Sequence, residues 1–281
     1  MMRVFDRSTL QISDACFETL CQLFERESGI LLRPDKRSLV VSRLQRRLEA
    51  RGLSGFEEYC LLLHRPDEVT ERRAMVDALT THETYFFREL GHFQHLAQSA
   101  LPSLKGHELR LWSAASSTGE ETYSLAMVLA EVLGQEGWIL HGSDLSMRVV
   151  WLASRGLYPL RRLEFMPPGF LRKYCLRGQG EYEGSFLVKR ELREQTRFFC
   201  HNLLDRTANL GMFDVIFLRN VLIYFTLEKR RIILGNAISR LRPGGYLYLG
   251  NSESMEEVLA GMEPIGNSIY RRVPRARGEG S

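Results

Sequence analysis

The chain has 281 residues, enough for one large domain or for a main domain of about 150–200 residues with a smaller companion. Its composition is that of a globular protein, with 44% hydrophobic residues, 26% charged residues and a net charge of +4. No apolar run approaches the roughly 20 residues of a membrane-spanning helix, and the first residues lack the apolar segment of a secretory signal. From these features we expect neither a membrane-spanning helix nor export, and we expect a cytoplasmic protein.

The five cysteines form no C-x-x-C pair and have no ligand-like spacing with histidine. We therefore expect reduced thiols, without an essential disulfide or a structural zinc ion. His92 and His95 lie three positions apart on a helix, but no third ligand accompanies them, so no metal site is predicted.

The first part of the chain, residues 8–80, has the apolar spacing of helices throughout. Four helices are expected, from the Ser13-Asp14 cap to Gly29, over about 34–50, from about Gly55, and over about 67–79. Short helices with brief loops predict a helical bundle, which we assign to residues 1–82.

The remaining residues, 83–281, alternate short apolar runs with longer helical stretches. Strands are predicted at 109–114, 138–144, 213–218, 246–250 and 268–273, and helices at 121–133, 146–155 and 226–241. Buried strands alternating with helices indicate a parallel α/β sheet of the Rossmann-like type. The segment 177–200 interrupts this alternation with three glycines and two β-rich stretches, which predicts a small inserted antiparallel β-hairpin subdomain.

The loop after the first strand, ASSTGEE, indicates a nucleotide-type ligand. Ligands of open α/β sheets lie at the carboxyl ends of the strands, and small residues let the backbone approach closely. The loop contains only Gly119 instead of a G-x-G-x-x-G pattern, and Glu120 and Glu121 would repel a pyrophosphate. A ligand with a cationic amino or sulfonium group suits these acids, which favours S-adenosylmethionine over a nicotinamide dinucleotide.

The second strand ends in Asp144, 25 positions beyond Gly119. A carboxylate at this place can accept hydrogen bonds from both ribose hydroxyls of a nucleotide. The alternative is structural, because Asp144 and Ser146 also precede a helix and either could cap it.

Four motifs resemble those of the bacterial chemotaxis receptor methyltransferases, the CheR family, over nearly the whole chain. They are LTTHETYFFRE (79–89), WSAASSTGEETYSLA (112–126), GSDLS (142–146) and FLRNVLIYF (217–225). The resemblance implies a class I methyltransferase domain that binds S-adenosylmethionine and methylates glutamate side chains of chemoreceptors.

The same resemblance implies which residues line the cofactor site: His82, Thr84, Arg88, Glu121, Asp144, Asn202, Leu203, Arg219 and Asn220. Arg88 would pair with the methionine carboxylate or approach the reacting carboxylates, and Glu121 would meet the cationic methionyl end. Asp144 would hold the ribose hydroxyls, while Asn202 and Leu203 would flank the adenine. Some members of the family have asparagine at position 82, where this chain has histidine.

Two residues are candidates for the chemistry itself, Arg88 and Tyr224. A glutamate with a pKa near 4.3 is already ionised at neutral pH, so no general base is needed. Catalysis then consists of alignment and of charge compensation at the acceptor. We expect Arg88 to offset the acceptor charge and Tyr224 to act as an orienting hydroxyl near the transferred methyl.

The second helix carries a basic surface, with Lys36, Arg43 and Arg47 spaced by seven and four, while Val41, Leu44 and Leu48 form an apolar stripe. Most such surfaces are simply solvated charge. Given the family resemblance, we expect this one to bind the acidic methylation helices of a receptor. The basic stripe lacks interleaved aromatic residues, so nucleic acid is not an expected partner.

The glycines of RGQGEYEG (177–184) resemble the form found in family members that bind a receptor's C-terminal peptide by strand addition. Three glycines in a turn-rich segment are also what turns alone require.

The alternative functions for the whole chain are a methyltransferase with a different acceptor, a non-catalytic cofactor-binding protein and a nicotinamide oxidoreductase. The last ranks lowest because the glycine fingerprint is missing.

Overall fold

The computed structural model describes residues 11–104, 106–255 and 261–273. These residues form two compact units. The first comprises the chain up to Thr81 together with Tyr224–Thr226, and the second comprises His82–Ile223 and the chain from Leu227 onward.

The first unit is entirely helical, as the sequence predicts. Its helices are α1 (Asp14–Ser28), α2 (Arg37–Arg51), α3 (Phe56–Leu63) and α4 (Val69–Leu79). The side chain of Ser13 caps α1 by accepting a hydrogen bond from Cys16 N, and Gly29 ends the helix in the left-handed conformation. Lys36 lies in a 3₁₀ turn (Pro34–Lys36) before α2 and not in the helix itself.

The apolar face of α2 consists of Val40, Leu44 and Leu48, all fully buried. The expected stripe began at Val41, which is only partly buried, so that assignment was wrong by one position. Val40 and Val41 lie four and three positions before Leu44, and both spacings fit one face of a helix, so the spacing alone did not decide between them.

The sulfurs of Cys16 and Cys60 are joined in a disulfide between α1 and α3. The expectation that all five cysteines are unpaired thiols was therefore wrong for these two, while Cys21, Cys175 and Cys200 are free. The two cysteines are 44 positions apart in the sequence, and only the packing of the helices brings them together.

The second unit is an α/β domain. Its helices are α5 (Leu90–His95), which continues through a π turn (Leu96–Ala100) into α6 (Leu101–Ser103), and α7 (Glu120–Leu133), α8 (Met147–Arg155), α9 (Phe170–Tyr174), α10 (Arg190–Glu194) and α11 (Leu227–Ser239). Its strands are β1 (Leu109–Ala114), β2 (Trp138–Asp144), β3 (Leu157–Pro159), β4 (Cys175–Arg177), β5 (Ser185–Val188), β6 (Thr196–Cys200), β7 (Phe213–Leu218), β8 (Leu241–Leu249), β9 (Met262–Gly266) and β10 (Ile269–Arg272).

Seven strands form the main sheet in the order β6-β2-β1-β7-β8-β10-β9. The pairs from β6 to β8 are parallel, and β10 runs antiparallel to both of its neighbours. The register places Ala114 opposite Ser143 on one side and Leu218 on the other, so the carboxyl ends of β1, β2 and β7 lie together. This confirms the predicted α/β fold and its ligand edge, although β9 was not predicted from the sequence.

The small antiparallel sheet is also present, but its strands differ from the predicted hairpin at 177–200. Its order is β3-β5-β4, so it includes Leu157–Pro159 from earlier in the chain. The second β-rich stretch, Thr196–Cys200, is instead the edge strand of the main sheet and runs parallel to β2. Short α10 separates β5 from β6 and prevents the tight turn that a hairpin between them would need.

Candidate active site

The loop after β1 and the end of β2 are tied together by Asp144. One carboxylate oxygen accepts the N–H of Ser117 at 2.9 Å, and the other accepts the N–H of Ser146 at 3.0 Å. Ser146, and not Asp144, is the N-cap of α8, because its hydroxyl accepts the N–H of Val149. Asp144 therefore fixes the loop at the ligand edge, and the capping alternative applies to Ser146. Ribose binding by Asp144 stays a prediction.

Gly119 has a structural reason that the sequence did not indicate. A Cβ at this position would lie 2.8 Å from Ala153 Cβ and 2.9 Å from Tyr158 Oη, and its φ is +94°. The glycine thus allows α7 to pack closely against α8 and the small sheet, which is a different role from ligand approach.

A buried ion cluster lies at the end of β7. Arg219, whose side chain has no exposed surface, places Nη2 3.0 Å from Glu89 Oε2 and Nη1 3.5 Å from Glu121 Oε2. The guanidinium lies over the rings of Phe93 and Phe217 at 5.6 and 5.7 Å. Arg219 and Glu121 were predicted from the sequence, whereas Glu89 was not.

Glu121 is held by Ser113, whose hydroxyl donates to Glu121 Oε1 at 2.8 Å. Burial raises the pKa of Glu121, and the charges of Arg219 and Arg88 act against this rise. Its neighbour Glu120 has a different environment: it accepts a hydrogen bond from Thr118 and lies 3.6 Å from Arg162. Only Glu121 of the acidic pair belongs to the cluster with Arg219.

The segment 82–89 has no regular structure and is held to the domain at its carbonyls and amides. Ser117 Oγ donates to His82 O at 3.2 Å, and Arg162 donates to Thr84 O at 2.6 Å. Phe87 N donates to Ser124 Oγ at 2.9 Å, and Arg219 Nη2 donates to Arg88 O at 2.5 Å. Side chains from several elements thus bring His82, Thr84 and Arg88 to the same edge as Glu121.

The side chain of Arg88 is only partly buried. Its guanidinium lies over the ring of Tyr85 at 5.7 Å and donates to Glu83 O at 3.2 Å. Both contacts come from its own segment, and the role of Arg88 at the acceptor stays a prediction.

Asn220 follows Arg219 in the left-handed conformation, with φ +55°. Its N–H donates to Glu253 Oε2 at 2.6 Å, and its side-chain amide donates to Glu89 Oε1 at 3.1 Å. Glu253 also accepts the N–H of Gly250 at 2.8 Å. Glu253, which the sequence reasoning missed, therefore connects the ends of β7 and β8.

Among the described residues, six that are not glycine have a left-handed φ, and five of them lie in these site segments: Phe87, Glu89, Ala115, Ser117 and Asn220. Such conformations cost of order 1–3 kcal/mol each and cluster at functional sites. Their concentration here is independent support for the location of the active site.

Two further predicted residues, Asn202 and Leu203, follow β6. Asn202 Oδ1 accepts the N–H of Leu204 at 3.0 Å, and Leu203 is buried. Their predicted contact with adenine is not tested by these bonds. Tyr224 groups with the helical unit, where Leu31 N donates to Tyr224 O at 3.4 Å, and its role near the methyl group stays a prediction.

The predicted basic surface of α2 is largely used within the helical unit. Arg47 donates to Glu71 at 2.9 and 2.6 Å, and Arg43 donates to Leu79 O at 2.7 Å. Lys36 is exposed and pairs with Asp35 at 2.9 Å. Arg43 and Arg47 are therefore engaged within the unit, and the contact of these three cations with a receptor stays a prediction.

In the described parts of the chain, no three side chains of His, Cys, Asp or Glu are arranged to hold a metal ion. None of the described helices combines the length and apolar character needed to cross a membrane.

The carboxylates of the site fit a ligand with a cationic end. Two carboxylates, Glu89 and Glu121, face one guanidinium, so the buried cluster has an excess of one negative charge when both are ionised. Asp144, with both oxygens at the ligand edge, is a hydrogen-bond acceptor that suits ribose hydroxyls. These features match the methionyl and ribose parts of S-adenosylmethionine.

Comparison with known proteins agrees with this assignment. The family model of the CheR methyltransferase all-alpha domain matches residues 15–80, and that of the CheR methyltransferase SAM-binding domain matches residues 82–270. The chain is 40% identical to a chemotaxis protein methyltransferase of Salmonella typhimurium over 264 residues, covering 93% of this chain and 91% of the relative. It is 39% identical to the Escherichia coli protein of the same name, covering 93% and 92%. It is also 39% identical to chemotaxis protein methyltransferase 2 of Pseudomonas aeruginosa over 271 residues, covering 95% and 96%.

Proposed function

This chain belongs to the CheR methyltransferase family, and from that membership we propose that it esterifies glutamate side chains of chemoreceptors. It is an S-adenosylmethionine-dependent methyltransferase of chemotaxis. The observation that carries the proposal is the anionic cluster of Glu89, Glu121 and Arg219 beside Arg88. The charge of Arg88 acts on Glu121, which supports a site where a cationic methyl donor would lie near a cation that can receive a carboxylate.

Several residues would hold the cofactor. Glu121 would bind the methionyl ammonium, and Asp144 would accept hydrogen bonds from the ribose hydroxyls. The remaining contacts would come from His82, Thr84, Arg88, Asn202, Leu203, Arg219 and Asn220. The support for this set is that the segment 82–89, the β1 loop and the ends of β2 and β7 meet at one edge of the sheet.

The bound cofactor supplies an activated methyl group on a sulfonium. The protein needs no base, because the acceptor glutamate is ionised at neutral pH. Its tasks are to exclude water, to orient the acceptor carboxylate and to offset its charge. Arg88 would pair with the acceptor, since a guanidinium binds a carboxylate through two parallel hydrogen bonds. Tyr224 would orient the acceptor through its hydroxyl.

The chemical identity of the product tests the proposal. The full chain is incubated with S-adenosylmethionine labelled in the methyl group and with cytoplasmic fragments of chemoreceptors, and the labelled protein is then treated with alkali. A methyl ester releases its label as methanol, whereas methylated lysine or arginine retains it. Retention of the label after alkali, or an absence of transfer to the fragments, would contradict a glutamate acceptor. Because such fragments are cytoplasmic, the proposal places the enzyme in the cytoplasm.

For receptor docking, we expect the acidic methylation helices to meet the cations of α2 and its preceding turn. Arg43 and Arg47 are engaged within the unit, so the exposed Arg33, Lys36 and Arg46 would carry most of the attraction. Interactions between exposed charges are screened by salt. The KM for receptor fragments should therefore rise between 50 and 500 mM salt, and an unchanged KM would contradict electrostatic docking.

A receptor tail peptide could add a strand to the small sheet at β4, which pairs only with β5 among the described strands. The glycine spacing is not itself support, because the turns explain it. A Cβ on Gly178 would lie 2.0 Å from Tyr182 O, and Gly180 and Gly184 have positive φ. The support is the open edge of β4, where Leu176 is exposed. Calorimetry with a receptor C-terminal peptide tests this, and no heat of binding would contradict it.

A further inference from the structure

The arginine at the centre of the cluster has two carboxylate neighbours and is not shared equally between them. The distance from Arg219 to Glu89 is 3.0 Å, whereas the distance from Arg219 to Glu121 is 3.5 Å. The contact with Glu121 is thus the longer of the two, and the other oxygen of Glu121 accepts the Ser113 hydroxyl. Of the two carboxylates, that of Glu89 therefore lies closer to the guanidinium, and the sequence predicted no role for Glu89.

Glu89 is itself fixed from several directions. Its Oε1 accepts the side-chain amide of Asn220 at 3.1 Å, and its Oε2 accepts the N–H of Asn251 at 3.1 Å. His92 Nδ1 lies 3.4 Å from the same oxygen. The backbone of Glu89 has a left-handed φ of +59°, a conformation that a side chain adopts at a cost. This much constraint on one carboxylate keeps it within reach of Arg219.

The ionisation of the two carboxylates follows this arrangement. Burial acts to raise the pKa of Glu89, but Arg219 and the hydrogen bonds from Asn220 and Asn251 outweigh it and lower the pKa overall. Burial raises the pKa of Glu121, and Arg219 counteracts only part of this rise. The charge of Glu121 is thus only partly offset by Arg219 in a buried site, so a cation bound there would interact favourably with it.

We propose that Glu89 is a positioning residue: it holds the Arg219 guanidinium away from Glu121 and so reserves the Glu121 carboxylate for the methionyl ammonium of the cofactor. Without the charge of Glu89, Arg219 would move the short distance to Glu121 and neutralise it. Glu89 would then control cofactor affinity without touching the cofactor. This inference rests on the proposed role of Glu121 in cofactor binding.

The test compares two ligands by calorimetry with the full chain. S-Adenosylhomocysteine has the methionyl-type ammonium, and 5′-methylthioadenosine has the adenine, ribose and thioether but lacks the amino-acid end. The variant Glu89→Gln keeps the size and the carbonyl oxygen of the side chain while removing its charge. We expect its Kd for S-adenosylhomocysteine to rise at least tenfold and its Kd for 5′-methylthioadenosine to change less than twofold.

Two further variants separate charge from packing. Glu89→Asp keeps the charge and shortens the side chain, so it should retain more affinity for S-adenosylhomocysteine than Glu89→Gln. A purely structural role predicts the reverse order, because glutamine is the closer match in shape. Glu253→Gln disturbs the adjacent turn through its backbone contacts and should alter affinity for both ligands to a similar degree.

Equal loss of both ligands in Glu89→Gln, unchanged affinity, or tighter binding of S-adenosylhomocysteine would each overturn the inference. The proposed cofactor site is judged separately by Glu121→Gln in the otherwise unchanged chain. If Glu121→Gln binds S-adenosylhomocysteine as tightly as the unmodified protein, the assignment of Glu121 fails. If Glu121→Gln loses affinity while Glu89→Gln does not, only the role of Glu89 fails.

Discussion

Replacing Arg47 by alanine tests whether the arginines of α2 serve the fold or a partner. Arg47 donates two hydrogen bonds to Glu71, at 2.9 and 2.6 Å, and Tyr59 donates a third at 2.8 Å. The Glu71 side chain is only 2% exposed, whereas that of Arg47 is 30% exposed. Arg47→Ala would therefore leave a buried carboxylate with one neutral donor and a more distant cation, Arg51, at 3.9 Å.

The loss of stability in Arg47→Ala can be calculated approximately from this geometry. Removing one partner of a buried ion pair costs about 3–5 kcal/mol. Because the Arg47 site is partly open to water, we expect the lower end, about 3 kcal/mol, which corresponds to about 100-fold in an equilibrium constant. Native-state hydrogen exchange of α2 and α4 in the full chain measures the opening of this unit directly. Protection of their slowest amides should fall about 100-fold in Arg47→Ala.

The matched control is Arg46→Ala, because Arg46 is the exposed neighbour of Arg47 on the same helix. Exposed substitutions usually change stability by less than about 0.5 kcal/mol. Protection in Arg46→Ala should therefore stay within about threefold of the unmodified chain. Similar protection in both variants would refute the structural role, particularly if Arg47→Ala raised only the KM for receptor fragments.

The dependence on pH provides a second check on the same pair. Burial acts to raise the pKa of Glu71, but the hydrogen bonds from Arg47 and Tyr59 and the charges of Arg47 and Arg51 outweigh it and lower the pKa overall. This contribution to stability is present above the unfolded pKa, near 4.3, and is lost as the pH falls through the lower folded value. In Arg47→Ala, burial dominates and raises the folded pKa. The difference in the free energy of unfolding between Arg47→Ala and the unmodified chain should thus shrink between pH 7 and 4.5. A difference that stays constant over this range would contradict the predicted pKa change of Glu71.

Three further predictions concern the α/β unit and the reaction. Arg88→Ala and Tyr224→Phe should lose methyl transfer to receptor fragments while keeping the melting temperature, and full activity with labelled cofactor would refute these roles. Asp144→Asn should raise the Kd for S-adenosylhomocysteine at least tenfold in calorimetry, since a hydrogen bond to a charged group contributes about 1.5–3 kcal/mol, and unchanged affinity would remove Asp144 from the site. Gly178→Ala, whose Cβ would meet Tyr182 O at 2.0 Å, should abolish binding of a receptor tail peptide but preserve cofactor affinity, and retained peptide binding would argue against docking at β4.

Most of the α/β architecture could be predicted from periodicity, because strands buried on both faces are recognisable as continuous apolar runs. The small sheet could not be assembled this way. Its strands are three or four residues long, and Leu157–Pro159 is remote in sequence from Ser185–Val188, its partner. The stretch Thr196–Cys200 looks like the second arm of a hairpin locally, but its pairing with β2 depends on the whole sheet.

The candidate site was predictable where a residue follows a strand or belongs to a recognisable motif, as with Glu121, Asp144 and Arg219. Glu89 and Glu253 were missed for different reasons. Glu89 stands in the quoted motif 79–89, but nothing local shows that its carboxylate turns toward Arg219, 130 positions later. Glu253 accepts backbone N–H groups from Asn220 and Gly250, and such a contact leaves no trace in residue spacing.

Several arginines of this chain hold backbone carbonyls, and the reason is geometric. A guanidinium has five donors in a planar fork, so it can hold backbone carbonyls of irregular segments as well as carboxylates. Arg43 does this at Leu79 O, Arg162 at Thr84 O and Arg219 at Arg88 O. These contacts show that the three arginines also hold the chain's own loops, which their charge does not indicate. The segment 82–89 depends on two of these arginines, and its catalytic candidate, Arg88, is positioned by Arg219 through a carbonyl, not through its own charge.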